Sequence, residues 1–491
     1  MKHDDGFIAY VNGQAVASAN APATLAWNST ATAAHADADA VVFESFTVPV
    51  PAGLLRDGDN ILALQGLNVS VNDDDFLILP ELDSVATIEL PNRYFTQPTP
   101  GQPNNAGADG LVAEPEFSVQ RGYYDAPFSV TLTCTTPGAE IRWTTNGSAP
   151  SLTNGLVYSA PIGVTNTTLL RAAAFRSQYA PSAVVTHTYL FLESVLRQPD
   201  ALPSYPTSWQ GSYPADYGMD SNVVNHPTYG ATIRSDLRAL PAVSIVTEHD
   251  GLWGPNNGIY NHATSDTELW ERPASVELLG TSGETLFAVN CGLRMQGNAS
   301  RDNARTPKHS FRFLFKGQYG PSKLSYPWFP ASAVDQFDNI VLRACFTDSW
   351  STRSSPADST HVFGERYRPQ DALYLRDVWV KDSFAAMGYL SASSTHVHLY
   401  LNGLYWGLYN PCERQDASFF SQHLGGPVEA WDVIRDFAEV LDGTKDDWIA
   451  MMAACNAGVT SEPAYQNIRS LVNVTNLIDY ILLHVFAEAE D

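Results

Sequence analysis

The sequence predicts a multidomain chain, two all-β sandwiches followed by an α+β domain, and three observations carry that reading. Apolar and polar residues alternate at strand period through residues 1–190, stretches rich in Pro and Gly interrupt the alternation, and helical periodicity is confined to the second half of residues 240–491. At 491 residues the chain is long enough for about three domains of roughly 150 residues each. Hydrophobic residues at 44% and charged residues at only 16% describe a folded rather than a disordered chain. The expected division is 1–90, a partial β-sandwich; 91–115, a linker; 116–190, a second β-sandwich; 191–239, an irregular linker; and 240–491, the α+β domain.

In the first segment, Phe7-Ile8-Ala9-Tyr10-Val11 and Ala15-Val16-Ala17 flank Asn12-Gly13, a pair that supplies the positive φ angles of a tight hairpin turn. A second hairpin-like unit is expected from residues 60–65 and 76–79. The start, Met1 to Tyr10, has no apolar secretion stretch and enters a strand at once, so a truncated beginning is expected. Pro91, Pro98, Pro100, Pro103 and Pro115, with Gly101, Gly107 and Gly110, disfavour regular structure between the sandwiches. Beyond them, Ser129 to Cys134, Glu140 to Thr145 and Thr168 to Ala174 read as strands of the second sandwich.

Residues 196–238 carry five further prolines among Tyr and Ser, which predicts irregular chain wrapping a surface. The last domain offers strands at Val243–Val246, Ser275–Leu279, Phe311–Phe315 and Ile340–Arg343. Helices are expected around Leu375, Val378, Trp379 and Phe384, around Trp448, Met451, Met452 and Cys455, and around Leu477, Ile478, Ile481, Leu482 and Val485. Residues 395–409 form a hairpin with Asn402-Gly403 at its tip.

Net charge is −25, of which −13 falls in residues 1–118, a field that repels polyanions and argues against nucleic-acid or anionic-membrane partners. No apolar run is long enough to span a bilayer. The five cysteines, Cys134, Cys291, Cys345, Cys412 and Cys455, are widely spaced without C-x-x-C, so they read as small core residues rather than as a disulfide framework. Abundant Asn, Thr, Ser and Gly suggest an exported bacterial surface protein.

Against that acidic background, Arg294, Arg301, Arg305, Lys308, Arg312 and Lys316 face one acid, Asp302, a local excess of +5. An anion site is one reading, since guanidinium forks and an ammonium grip phosphate oxygens; a solvated strand face is the other. Glu413, just after the hairpin, can orient a Lys or bind a metal, or sit at the surface. Glu488, Glu490 and Asp491 close the chain after an apolar helix, where carboxylates can hold a metal or fray. His396-x-His398 has zinc-compatible spacing but no third ligand nearby and reads as ordinary sheet histidines. G-x-S-x-G, G-x-x-x-x-G-K-[ST] and H-R-D motifs are absent.

Leu240-Pro241-Ala242-Val243-Ser244-Ile245, Gly292-Leu293-Arg294-Met295-Gln296-Gly297, Pro307-Lys308-His309-Ser310-Phe311-Arg312, Asp348-Ser349-Trp350, Leu375-Arg376-Asp377 and Asn402-Gly403-Leu404-Tyr405-Trp406-Gly407 follow in order. Through these motifs residues 240–491 resemble the CotH family of spore-coat atypical kinases. Residues 119–190, with Thr145-Asn146-Gly147-Ser148 and Leu170-Arg171-Ala172, look like the chitobiase C-terminal or fibronectin-III-associated β-sandwich, and the first segment is similar to galactose-binding-like modules. The resemblance implies transfer of a phosphoryl group from ATP, with Mg²⁺ or Mn²⁺, to Ser or Thr of a protein substrate. It puts Lys308 on the phosphates, Arg294, Arg301 and Arg312 as supporting cations in the ATP site, Glu413 as partner of that Lys or of a metal, and Asp491 as the first metal-binding acid. The family pattern continues beyond this last acid, so the expected kinase domain is C-terminally truncated and its activity impaired. The competing reading is a non-catalytic cell-surface adhesion or glycan-binding protein, with a carbohydrate or surface partner on the sandwiches.

Overall fold

A computed structural model describes the chain except for residues 49, 52, 84–92, 96–98, 105, 210–212, 266–267, 353–368, 437 and 490–491. Pro91 and Pro98 of the expected linker, and Glu490 and Asp491 at the chain end, lie outside the described residues. The chain divides into two compact units, Met1–Pro91 and Asn92–Asp491.

In the first unit the strand Gly6–Val11 lies between Gln14–Ala19 and Leu62–Leu67, and a short pair joins Lys2–His3 to Ile78–Leu79. Asn12 (φ 49°) and Gly13 (φ 83°) make the expected turn. Residues 60–65 and 76–79 do not pair with each other. Leu62–Leu67 joins Gly6–Val11 and Ile78–Leu79 joins Lys2–His3.

The second unit contains two β assemblies. In the sandwich, a five-stranded sheet runs Leu156–Val157, Glu140–Thr144, Thr168–Phe175, Val185–Leu190 and Gly122–Tyr123. Across a core of Val130, Leu132, Ile141, Leu170, Ala172, Ala174 and Tyr189 stand the pairs Phe128–Val130 with Ile162–Val164 and Glu116–Phe117 with Leu132–Thr133.

The other assembly is a closed barrel of seven strands: β1 (Ala242–Thr247), β2 (Arg272–Leu279), β3 (Thr285–Gln296), β4 (Ser310–Leu314), β5 (Asn339–Arg343), β6 (Val397–Leu401) and β7 (Leu404–Cys412). The order is β1-β2-β3-β4-β5-β7-β6, every pairing antiparallel except β1 with β6, which closes the barrel in parallel. Alternation sends Ile245, Val276, Leu293, Phe311, Phe313, Ile340, Leu342 and Leu399 inward. At the β6–β7 tip, Asn402 (φ 48°) and Gly403 (φ 79°) form the expected turn. A short helix, His249–Trp253, follows β1, and after β5 the described α-helices are α1 (Arg376–Ala386), between β5 and β6, then α2 (Ala417–Leu424), α3 (Asp446–Asn456), α4 (Glu462–Leu471) and α5 (Val474–Phe486). Leu477, Ile478, Ile481, Leu482 and Val485 give α5 its helical period, yet all five are exposed.

The segment expected to be irregular carries the helices Ser221–Val224 and Tyr229–Asp236 and inserts Trp209 and Tyr217 into the barrel core beside Trp253 and Trp406. Sandwich and barrel meet through buried polar groups: Thr188 Oγ1 lies 2.7 Å from Ser244 Oγ, Thr186 Oγ1 donates to Ser275 Oγ at 2.8 Å, and Arg121 Nε is 2.7 Å from Glu277 Oε1. All five cysteines are free, and Cys291 and Cys412 are buried.

Candidate functional site

Because Ile340 and Leu342 of β5 face the barrel core, Val341 and Arg343 face outward, as do Gln296, Ser310, Asn410 and Cys412 on the neighbouring strands. These outward residues form one wall of a cleft of about 1020 Å³. Asp377 and Lys381 of α1 line it as well, Gly297, Ala299 and Ser300 come from the β3–β4 connection, and Phe420, Val433 and Leu441 contribute apolar surface.

The cleft is organised around one carboxylate. Asp377 Oδ2 lies 2.5 Å from Arg343 Nη1 and 2.7 Å from Lys381 Nζ. Asp377 and Lys381 stand four apart on α1 and therefore share a face. Burial pushes the Asp377 carboxyl up, but Arg343 and Lys381 outweigh it and hold the group below the usual carboxylate range. Arg343 is the reciprocal case, with Asp377 raising its affinity for the proton against the cost of burial.

A second acid positions α1. Asp348 Oδ1 accepts the amide of Leu373 at 2.7 Å, and Oδ2 accepts those of Leu375 at 2.9 Å and Arg376 at 3.0 Å. The start of a helix leaves N–H groups without intrahelical acceptors, and a carboxylate there satisfies them while favouring the dipole. Thus Asp348-Ser349-Trp350 and Leu375-Arg376-Asp377, which are far apart in sequence, meet at the mouth of the cleft.

Glu413 also lines the cleft, but its carboxylate is fully engaged. Oε1 lies 2.9 Å from His423 Nε2 and accepts from Ser332 Oγ at 3.0 Å, while Oε2 accepts the Ser393 amide at 2.8 Å.

The sequence-predicted cations disperse around this cleft. Lys308 lines a different cavity, of about 430 Å³, with Trp209, Tyr217, Asp216, Asp220 and Trp406. Its Nζ lies against Gly407, where an added Cβ would come within 2.0 Å of it, and burial lowers the ammonium to about 8. Glu413 follows the last residue of β7, six residues beyond Gly407. Lys308 and Glu413 thus line different cavities. Arg294 and Arg312 are cross-strand partners on the outer face of β3 and β4, and Arg312 pairs with Val341 of the cleft wall. Burial, then the neighbouring Arg414 and Arg294, lower Arg312 to about 10. Arg301 is buried, with Nη1 donating to Thr264 O at 2.9 Å and Ala263 O at 3.4 Å. Asp491 lies outside the described residues.

Sequence reasoning missed Arg343, Lys381 and the roles of Asp348 and Asp377. Two signals were available: a cation ending the apolar run Ile340-Val341-Leu342, and an acid and a base spaced i, i+4 on α1. His396 and His398 are held by the fold. His396 Nε2 lies 2.9 Å from Tyr374 O, and His398 contacts Tyr405 Oη and Asp236 O, each at 3.0 Å.

Comparison with known proteins gives two family matches. Residues 368–491 match the family model described as CotH kinase protein, and residues 130–189 match the one described as Fn3 associated. The first match takes in Asp377, Lys381 and Glu413, whereas Arg343 and Lys308 precede it. No curated protein matches the chain.

Proposed function

We propose, with the CotH kinase match over residues 368–491 as premise, that the cleft beside Arg343 binds the phosphates of ATP in an atypical protein kinase acting on Ser or Thr hydroxyls. The observation that carries this is the Arg343–Asp377 ion pair between a barrel strand and the helix that follows it. Protein kinases place a strand cation over the phosphates, hold it with a helix carboxylate and cover the site with a glycine-containing loop between the two preceding strands. Here Arg343 of β5, Asp377 of α1 and the β3–β4 connection take those places in the same chain order. Gly297 in that connection has φ 112°, a conformation that L side chains rarely adopt, and a Cβ there would meet Ser300 Oγ at 2.1 Å.

The cleft suits a nucleotide triphosphate in volume, being at the upper end of the roughly 300–1,000 Å³ common for ligand sites. Its walls carry five cations, Arg343, Arg376, Lys381, Arg414 and Arg435, against four acids, Asp348, Asp377, Glu413 and Asp436. ATP, when bound, supplies the γ-phosphoryl group. Arg343 and Lys381 neutralise phosphate oxygens, Asp377 keeps both cations aimed, and Asp348 keeps α1 in register. Phosphoryl transfer depends on such positioning and charge neutralisation more than on covalent help from the protein.

The divalent metal is a different matter. No three metal-ligating side chains converge in the cleft among the described residues, and Asp348 and Glu413 already accept hydrogen bonds. These residues therefore do not make a metal site of their own among the described residues. Export to the cell surface belongs to the same proposal and is supported by the Asn-, Thr-, Ser- and Gly-rich composition.

The test is thermal stabilisation of the full chain by ATP, with and without Mg²⁺ or Mn²⁺, beside Arg343→Met. Stabilisation of the wild type that the variant loses is the expected result. A wild-type chain indifferent to ATP under every condition overturns the reading.

A further inference from the structure

The unit Met1–Pro91 contains a cluster that the kinase reading does not use. His3 sits on the short strand Lys2–His3 and is 2% exposed, and neither Nδ1 nor Nε2 has a hydrogen-bond partner. Buried polar nitrogens are nearly always satisfied, so the bare Nε2 of this ring is free to take a ligand. His35 stacks on it, with ring centroids 4.5 Å apart at 16°. His35 Nδ1 lies 2.9 Å from the His3 carbonyl oxygen, which can only accept, so Nδ1 carries the hydrogen and the neutral ring presents a bare Nε2.

Both Nε2 atoms face one carboxylate: His3 Nε2 is 3.5 Å from Glu44 Oε2 and His35 Nε2 is 3.5 Å from Glu44 Oε1. One ligand atom from each of the three residues can be chosen so that all lie within 4.8 Å of one another. An imidazole Nε2 that faces a carboxylate needs positive charge between the two, a proton or a metal ion. A tetrahedral ion bound at 2.0–2.1 Å separates its ligand atoms by about 3.3 Å, close to the spacing found here. The Glu44 backbone is tied to Met1, its amide donating to Met1 O at 2.9 Å and its carbonyl accepting from the Met1 amine at 2.8 Å.

We propose that His3 Nε2, His35 Nε2 and the Glu44 carboxylate bind one Zn²⁺, leaving a fourth position open to solvent. Two imidazoles and one carboxylate form a donor set for zinc rather than for calcium or magnesium, which take all-oxygen shells. The His35 Nδ1–H to His3 carbonyl bond supplies the outer-shell contact that orients a metal-binding imidazole. Glu44 is half exposed, which gives the ion an entry path.

A nearby all-oxygen group, Asp4, Asp37 and Asp75, means that the test must locate the ion as well as detect it. The full chain, stripped with a chelator and held in excess Ca²⁺, is titrated with Zn²⁺ by calorimetry and with Co²⁺ by visible absorption. One Zn²⁺ per chain and a tetrahedral Co²⁺ band are expected. His35→Ala and Glu44→Gln should each weaken binding more than tenfold with unchanged circular dichroism, and Asp75→Asn should leave it intact. Absence of stoichiometric binding, binding indifferent to His35→Ala and Glu44→Gln, or binding lost with Asp75→Asn overturns the proposal.

Discussion

Arg343 Nη1 and Asp377 Oδ2 stand 2.5 Å apart, tying the last residue of β5 to the first turn of α1. Lys381 shares the same carboxylate, so Asp377→Asn should loosen two cations at once. Both ends of the pair are partly solvated, so the effect on folding should be small and the effect on ligand binding large. ATP affinity, read from thermal shift, should fall about tenfold in Asp377→Asn. Lys308→Met should leave it unchanged, because that side chain lines another cavity. Equal losses in both variants would place the phosphates elsewhere.

Arg121 and Glu277 form an ion pair buried between sandwich and barrel, where Glu277 is 1% exposed and Thr188 donates to it through both its amide and its hydroxyl. Burial raises the Glu277 carboxyl despite Arg121 beside it. Removing one partner of a buried pair leaves the other uncompensated, so Arg121→Ala should cost about 3–5 kcal/mol. The urea midpoint measures this, and a shift equivalent to less than about 1 kcal/mol would contradict it.

His309 is fully buried, with Nδ1 2.9 Å from Ser300 O and Nε2 3.0 Å from Asn303 Oδ1. Since Asn303 Nδ2 has no partner, turning that amide end for end would let it donate to Nε2 and satisfy both groups. Burial lowers the imidazole from 6.5 to about 4. The folded chain thus holds His309 neutral while the unfolded chain takes up a proton. Its contribution to stability is complete above pH 6.5 and is lost as pH falls toward 4, by roughly 3 kcal/mol. Stability curves for wild type and His309→Gln should converge in slope at high pH and diverge over that window. Parallel curves would refute a neutral buried imidazole.

Gly403 holds φ 79° at the β6–β7 tip, and a Cβ there would lie 3.4 Å from Leu169 Cδ2 and Thr167 Cγ2 of the sandwich. Gly403→Val combines a β-branched side chain with left-handed backbone and should cost about 2 kcal/mol. Unchanged melting would disprove the turn.

Local pattern made much of the fold legible. Asn12-Gly13 and Asn402-Gly403 announced their turns because few other pairs tolerate two positive φ angles in succession. Ile340-Val341-Leu342-Arg343 announced β5, and the spacing of Leu477, Ile478, Ile481 and Leu482 announced α5. The residues 60–65 and 76–79 misled, because alternation marks a strand without naming its partner. Barrel closure was invisible for the same reason: β1 and β6 pair in parallel across some 150 residues, which no short window reports.

For the candidate site, composition located a cationic region near Lys308 and Arg312, and family-like motifs marked Asp348 and Asp377. Which cation meets which acid depends on outward strand register and on where α1 returns to the barrel. What residue order alone determined here is element type, turn position and the charge contrast between a basic island and an acidic chain, all set by contacts within a few residues. What only the tertiary structure decided is that Arg343 and Lys381 share Asp377 while Lys308 lies apart in an aromatic cavity. Side chains distant in sequence meet only after barrel closure fixes which strand faces look outward, and charge pairing acts over a few ångströms in space rather than along the chain.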